Sequence, residues 1–108
     1  MLAGLAALAQ FYTAGLAVFG AASFALHQRI GWLVQVASLV TLLLLTVARV
    51  PFRVSRLAIL LFVLAVLQPV LAFAPRASLP ELSALHPVNG LAILAACIFL
   101  ERTLRSRS

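Results

Sequence analysis

The sequence Ala84-Leu85-His86-Pro87-Val88-Asn89-Gly90 repeats the pattern of an earlier stretch, Ala25-Leu26-His27-Gln28-Arg29-Ile30-Gly31. Both stretches read Ala-Leu-His-x-x-x-Gly, both precede a long apolar run, and they contain the two histidines of the chain. A glutamine precedes each histidine at a similar interval: Gln10 lies 17 residues before the first, and Gln68 lies 18 before the second. The pattern predicts two related helical hairpins that each bring one histidine to a common site.

The composition is that of an integral membrane protein. Of the 108 residues, 65% are hydrophobic and 9% are charged, whereas soluble domains are about half apolar and about a quarter charged. A hydrocarbon core about 30 Å thick requires about 20 apolar residues per helix, and helices pair their own backbone amides in lipid. We therefore predict an all-α, four-helix membrane bundle that forms a single domain over residues 1–108, with spans at about 2–25, 30–48, 56–74 and 84–100.

Turn and capping residues indicate where these spans begin and end. A tight turn is expected at residues 27–29, between the first two spans. Ser55 and Ser83 are expected to cap the third and fourth spans, with Pro87 in the first turn of the fourth. Pro69 should kink the third span and free a carbonyl one turn back, which a polar group on a neighbouring helix could then take up.

The positive charge of the chain reports its orientation. The formal net charge is +6, but no soluble basic face exists to bind a phosphate backbone, so a nucleic-acid partner is excluded. The arginines cluster at the ends of apolar runs, six on one side (Arg49, Arg53, Arg56, Arg102, Arg105 and Arg107) and two on the other (Arg29 and Arg76). Because positive loops stay inside, both termini are expected in the cytoplasm of a bacterial cell, with both histidines near the outer face of the cytoplasmic membrane and anionic lipid against the basic loops.

Each histidine heads a weakly polar stripe on its helix. Residues three or four apart share a helix face, which places Asn89 and Gly90 beside His86, and Gly31 beside His27. Ionisable residues within a membrane are costly and tend to face a bundle interior. The two stripes are therefore candidates for a binding site, the alternative being two interfacial histidines that hydrogen-bond to lipid headgroups or loop carbonyls.

Two imidazoles can occupy the two axial positions of a haem iron. On this hypothesis His27 and His86 are the metal ligands, and the glycine one helical turn after each, Gly31 and Gly90, leaves room for a porphyrin face. Zinc or copper is a weaker hypothesis, because two histidines without carboxylate or thiolate ligands leave a tetrahedral site half filled.

Further residues would complete such a site. Arg29 and Arg76 lie on the predicted side of the histidines and could pair with haem propionates. Gln28, Asn89 or a backbone carbonyl could orient the second nitrogen of each imidazole. Cys97 lies too deep in the fourth span to join His86 and is interpreted as a small core residue.

The four spans, with the His-x-x-x-Gly motifs at His27–Gly31 and His86–Gly90, resemble the membrane-embedded b-type cytochromes, which hold haem b between histidines of neighbouring helices. The chain is also similar to small bacterial four-helix membrane proteins whose second and fourth helices open with this motif. The resemblance implies electron transfer, with quinol or another membrane subunit as partner. Many such cytochromes hold two haems with four histidines; this chain has two histidines, which implies one haem b.

Two other functions remain open from the sequence. The chain could be a haem-free accessory subunit that packs against a larger membrane complex or a second copy of itself, or it could be a small transporter. Small multidrug exporters use an acid in the first helix, where this chain has Gln10. A hydrolytic site is not expected, because the chain has neither aspartate nor lysine and has two glutamates near the ends of one span.

Overall fold

The structure is a computed structural model that describes residues 2–73 and 80–106, with side chains from residue 4 onward. The described chain forms four helices: α1 (Leu2–Val18), α2 (Phe24–Val47), α3 (Phe52–Phe73) and α4 (Pro80–Arg105). Helices α2, α3 and α4 are long and apolar enough to cross a membrane, whereas α1 is a shorter apolar helix. The prediction of an all-α, multi-pass membrane bundle of four helices is thus confirmed, with three membrane-length spans in place of four.

The helices form a closed four-helix bundle. Each helix packs against its neighbour in sequence, and α1 also packs against α4. Helices α1 and α3 therefore lie on one diagonal of the bundle, and α2 and α4 lie on the other. Short connections make consecutive helices antiparallel, so the beginnings of α2 and α4 lie at the same end of the bundle.

The centre of the bundle is built from small and medium side chains. Leu61, Ala65 and Leu100 are fully buried, and Cys97 is buried among them, as the sequence predicted. Aromatic side chains such as Phe52 and Phe99 are exposed on the outside of the bundle. This inverted distribution is typical of membrane bundles, in which helices associate through close packing of small residues and large apolar side chains face lipid.

The expected turn at residues 27–29 is wrong. Helix α1 ends at Val18, and Gly20 continues the chain with a left-handed backbone (φ +79°), a conformation that glycine adopts at little cost. Ser23 then caps α2, with its Oγ accepting a hydrogen bond from the amide of Ala25. His27 consequently lies within the first turns of α2, and the chain reverses several residues earlier than its hydropathy suggested.

The predicted caps of α3 and α4 are also wrong. Helix α3 begins at Phe52, directly after Pro51, so Ser55 lies inside the helix and its amide donates to the Pro51 carbonyl. Helix α4 begins at Pro80, about one turn before Ser83, so Pro87 is an interior residue of the helix. A proline favours the start of a helix because its fixed φ is already helical and its missing N–H is not needed there.

The freed carbonyl predicted for Pro69 is confirmed, whereas the predicted kink stays a prediction. Proline has no N–H to donate to the carbonyl four residues earlier, which is that of Ala65. The side-chain amide of Gln35, on the neighbouring helix α2, donates to this carbonyl instead. Ser38, fully buried one turn further along α2, donates in turn to the backbone carbonyl of Gln35 at 2.8 Å.

Candidate ligand-binding site

The two histidines meet inside one end of the bundle. His27 comes from α2 and His86 from α4, the helices of one diagonal, and both side chains are partly buried. Their ring centroids lie 6.1 Å apart, and the ring planes are inclined at 69°. The repeated Ala-Leu-His-x-x-x-Gly pattern therefore does bring the two imidazoles together, as the sequence predicted.

Each imidazole is oriented by a backbone carbonyl of the preceding helix. His27 Nδ1 donates to the carbonyl of Gln10 at 3.0 Å, and His86 Nδ1 donates to the carbonyl of Gln68 at 3.0 Å. A carbonyl can only accept, so in the neutral ring the proton is on Nδ1 and the lone pair is on Nε2. Of the orienting groups proposed from the sequence, the backbone carbonyl is the one observed, and the similar Gln–His intervals reflect this shared contact.

The glutamine side chains lie against the glycines of the motif. A Cβ on Gly31 would be 2.8 Å from Gln10 Nε2, and one on Gly90 would be 3.3 Å from Gln68 Nε2 and 3.4 Å from the ring of Phe11. The missing side chains that the sequence analysis assigned to a porphyrin face therefore make room for the amides. Both glycines nevertheless line the same cavity as the histidines.

Two further polar residues hold the glutamines in place. Asn89, which is buried, donates to Gln68 Oε1 at 2.7 Å and to the carbonyl of Leu64 at 2.9 Å. Asn89 thus acts on Gln68 and not directly on His86. Gln68 Nε2 in turn donates to His86 Nε2 at 3.4 Å.

Thr13 performs a related role in the first hairpin, and the sequence analysis did not identify it. Its side chain is buried, and its hydroxyl lies 3.2 Å from the carbonyl of Gln10, 3.4 Å from Gln10 Oε1 and 3.4 Å from His27 Nδ1. The signal that could have found it is its spacing, since a polar residue three positions after Gln10 shares its face of an apolar helix.

A cavity of about 470 Å³ lies beside the two imidazoles. Its walls include both histidines and both glutamines, together with the aromatic side chains Phe11, Phe24, Trp32 and Phe73. The ring of Phe24 meets that of His27 edge-on, with centroids 6.1 Å apart. The volume lies within the range of about 300–1,000 Å³ that is usual for small-molecule and cofactor sites.

The remaining predicted site residues lie at the margin of the cavity or beyond it. Gln28 is exposed and contributes to the cavity wall. Arg29 is exposed and is not one of the lining residues. Arg76 lies outside the described residues, so its predicted contact with a propionate stays a prediction.

Within the described part of the chain, the two imidazoles do not belong to a larger group of metal-binding side chains. Residues 2–73 and 80–106 contain no group of three or more histidine, cysteine or acidic side chains that could hold a metal ion. A zinc or copper site of four protein ligands is therefore not assembled by these residues.

The sequence matches the model of a protein family described as "Family of unknown function (DUF6220)" over residues 10–75. The matched region, well over half of the chain, includes Gln10, His27, Gly31 and Gln68 and ends before His86. No curated protein and no solved structure matches the chain.

Proposed function

Because the chain belongs to DUF6220, a family of unknown function, its activity is inferred from its own site, and we propose that it is a b-type cytochrome of the membrane. In this proposal one haem b is held between His27 and His86 and serves one-electron transfer. The proposal rests on the geometry of the two imidazoles, and each step of it is open to direct measurement.

The separation of the rings is the observation that carries the proposal. A metal-bound imidazole nitrogen lies about 2.0–2.1 Å from the metal, so two imidazoles that hold one metal atom between them would have ring centroids roughly 6 Å apart. The centroids of His27 and His86 are 6.1 Å apart. This spacing supports His27 and His86 as the two residues that would hold one iron atom.

The hydrogen bonds of the two rings also suit ligation. Metal-binding histidines usually donate their other ring N–H to a carbonyl or carboxylate, which fixes the tautomer and makes the ligating nitrogen more basic. His27 and His86 both donate from Nδ1 to a carbonyl, so the lone pair on Nε2 is available to iron. On the His86 side that lone pair also accepts from the amide of Gln68, so His86 would hold iron only with this hydrogen bond released.

The composition of the cavity favours haem over a bare metal ion. A porphyrin supplies four of the six iron ligands itself and needs two from the protein, which is the number that the described residues offer at this site. Aromatic and small apolar side chains form much of the cavity wall, as an apolar ring requires. Arg29 and Arg76 are proposed to pair with propionates at the membrane surface.

The proposed orientation of the chain in the membrane determines where the haem lies and which partners could reach it. With both termini in the cytoplasm, the haem lies near the outer face of a bacterial cytoplasmic membrane, where quinol or another membrane subunit could exchange electrons with it. The matching contacts of Gln10 with His27 and of Gln68 with His86 support the view that α1–α2 and α3–α4 are repeated hairpins. A second copy of the chain is a further possible partner.

A visible spectrum of the detergent-purified protein, with and without added haemin, tests the proposal. We expect a Soret band, sharp bands on reduction and one haem per chain, with His27→Ala and His86→Ala each abolishing the six-coordinate spectrum. Gln28→Leu is a matched control, because Gln28 lines the cavity and makes no contact that the proposal uses. A folded but colourless protein that takes up no haemin would refute the proposal and favour the haem-free accessory subunit.

A further inference from the structure

One hydroxyl in the cavity has no hydrogen-bond partner among the described residues. Ser83 lines the same cavity as the histidines, and its Oγ is buried without a hydrogen bond in the part of the chain that the structure describes. Other hydroxyls of the bundle behave differently: Ser38, Thr41 and Thr103 each donate to a carbonyl three or four residues earlier. A buried polar group without a partner is costly and calls for a specific explanation.

The position of Ser83 relative to His86 indicates what that partner would be. The two residues are three positions apart, so they share a face of α4, and Ser83 lies about 4.5 Å closer to the start of the helix. Helix α4 begins at Pro80, which makes Ser83 the residue nearer to the membrane surface. A haem ligated by His86 would extend its polar edge, the propionates, in this direction.

The charges around Ser83 are compatible with a carboxylate. Glu81, in the same first turn, is exposed and lies two residues away, which places it about 200° around the helix and so on the opposite face. The first turn of a helix carries a partial positive charge that favours an anion nearby. A carboxylate accepting from Ser83 Oγ would therefore meet a donor and a favourable field.

The first hairpin lacks this feature. Three residues before His27 the chain has Phe24, whose ring packs edge-on against the imidazole. The wall of the cavity is thus aromatic beside His27, whereas beside His86 it carries a hydroxyl that is unpaired within residues 2–73 and 80–106. A ligand with one polar edge would consequently bind in one orientation, with that edge toward α4.

We propose that Ser83 Oγ donates a hydrogen bond to a haem propionate and so fixes the orientation of the porphyrin in the cavity. This inference rests on the proposed function. This assigns to Ser83 a binding role that is separate from iron ligation. It also explains why a serine at this position is neither a helix cap nor bonded to its own helix.

The test compares haemin with haemin dimethyl ester, in which both carboxylates are esterified, by titration into the detergent-purified protein. Removal of a hydrogen bond to a charged group corresponds to roughly tenfold or more in Kd, and removal of one to a neutral group to about fivefold on average. We therefore expect Ser83→Ala to weaken haemin binding by about tenfold and ester binding by much less. Ser83→Thr, which keeps the hydroxyl, should restore most of the difference.

Two controls keep the result specific. Ser55→Ala is the matched substitution, since Ser55 lies in α3 and does not line the cavity; it should leave both affinities unchanged. Without haemin, Ser83→Ala should unfold at the same or a higher temperature than wild type, because it removes an unpaired buried hydroxyl. If Ser83→Ala weakens the binding of haemin and of its dimethyl ester equally, or weakens neither, the role of Ser83 alone is overturned. If the wild-type protein binds neither probe, the cytochrome proposal is overturned together with the role of Ser83.

Discussion

Replacing Gln35 by leucine is expected to destabilise the bundle through a single carbonyl. Pro69 deprives the carbonyl of Ala65 of its helical donor, and the Gln35 amide supplies the replacement from α2. Ala65 is fully buried, so neither water nor lipid can take over this role. Leucine has a similar size but no donor, and the carbonyl would remain unpaired.

Two quantities set the expected loss in the free energy of unfolding: the contribution of the hydrogen bond itself and the cost of leaving its acceptor unpaired. Side-chain hydrogen bonds between membrane helices contribute about 0.6 kcal/mol on average, with a maximum of about 1.7 kcal/mol. Leaving a buried acceptor unpaired costs about 1–3 kcal/mol. We therefore expect Gln35→Leu to lower the free energy of unfolding by about 1–2 kcal/mol.

A double-mutant cycle isolates this effect. Pro69→Ala restores an N–H that can donate to the Ala65 carbonyl, so in that background Gln35→Leu should cost less than about 0.5 kcal/mol, a coupling of about 1 kcal/mol. Unfolding is measured by circular dichroism as increasing dodecyl sulfate is added to detergent micelles, with Gln28→Leu as the glutamine control. Equal costs of Gln35→Leu in both backgrounds would show that its amide does not serve the carbonyl freed by Pro69.

Three further outcomes are expected from the packing. Asn89→Leu should destabilise the bundle by about 1–2 kcal/mol in the same unfolding assay, because Gln68 Oε1 loses its donor at 2.7 Å. An unchanged free energy of unfolding would show that the hydrogen bond between Asn89 and Gln68 does not stabilise the bundle. Leu61→Ala, at a fully buried position, should cost about 2–5 kcal/mol, and Leu60→Ala, 46% exposed on the outer surface, less than about 1 kcal/mol; similar costs would contradict the described core. Cys97 is buried and should react with a maleimide in dodecyl sulfate but not in the folded bundle, which mass spectrometry would reveal.

The meeting of the two histidines could be predicted because it depends on features that the sequence carries directly. Helical spacing places Gly31 and Gly90 on the faces of His27 and His86, and an odd number of crossings of the bundle between the two motifs would have put them at opposite ends. The motifs instead open helices two and four of an antiparallel bundle, so they share an end. The carbonyl freed by Pro69 was predictable for a similar reason, since the loss depends on local covalent structure alone.

The helix ends could not be located as well, because hydropathy does not distinguish an apolar loop from an apolar helix. Phe19 and Ala21 continue the apolar run of α1, yet the chain has already reversed at Gly20. Ser55 and Ser83 have the side chains that favour a helix cap, but α3 begins directly after Pro51 and α4 begins at Pro80. The prolines were therefore the stronger signals of where these helices begin. In an apolar sequence, glycine and proline therefore locate the helix ends better than the hydroxyl residues do.

The contacts of Gln10 and Gln68 with the two histidines could not be predicted from the spacing of residues along the chain. The intervals from Gln10 to His27 and from Gln68 to His86 suggested a relation between them, but the acceptors are main-chain carbonyls, which every residue possesses. Which carbonyl faces an imidazole depends on the rotation and relative depth of two packed helices. The approach of each amide to a glycine depends on the same two quantities.

The buried polar side chains are unevenly distributed along the bundle, and this distribution bears on function. Around the imidazoles, two of the buried polar side chains, Thr13 and Asn89, hold glutamines whose carbonyls orient the rings. Toward the other end the core is apolar, with Val54 and Leu100 fully or almost fully buried. Polar groups in a membrane are costly unless they are paired. A set of paired polar groups therefore surrounds the two imidazoles and fixes the orientation of the rings, an arrangement that suits the proposed ligand site.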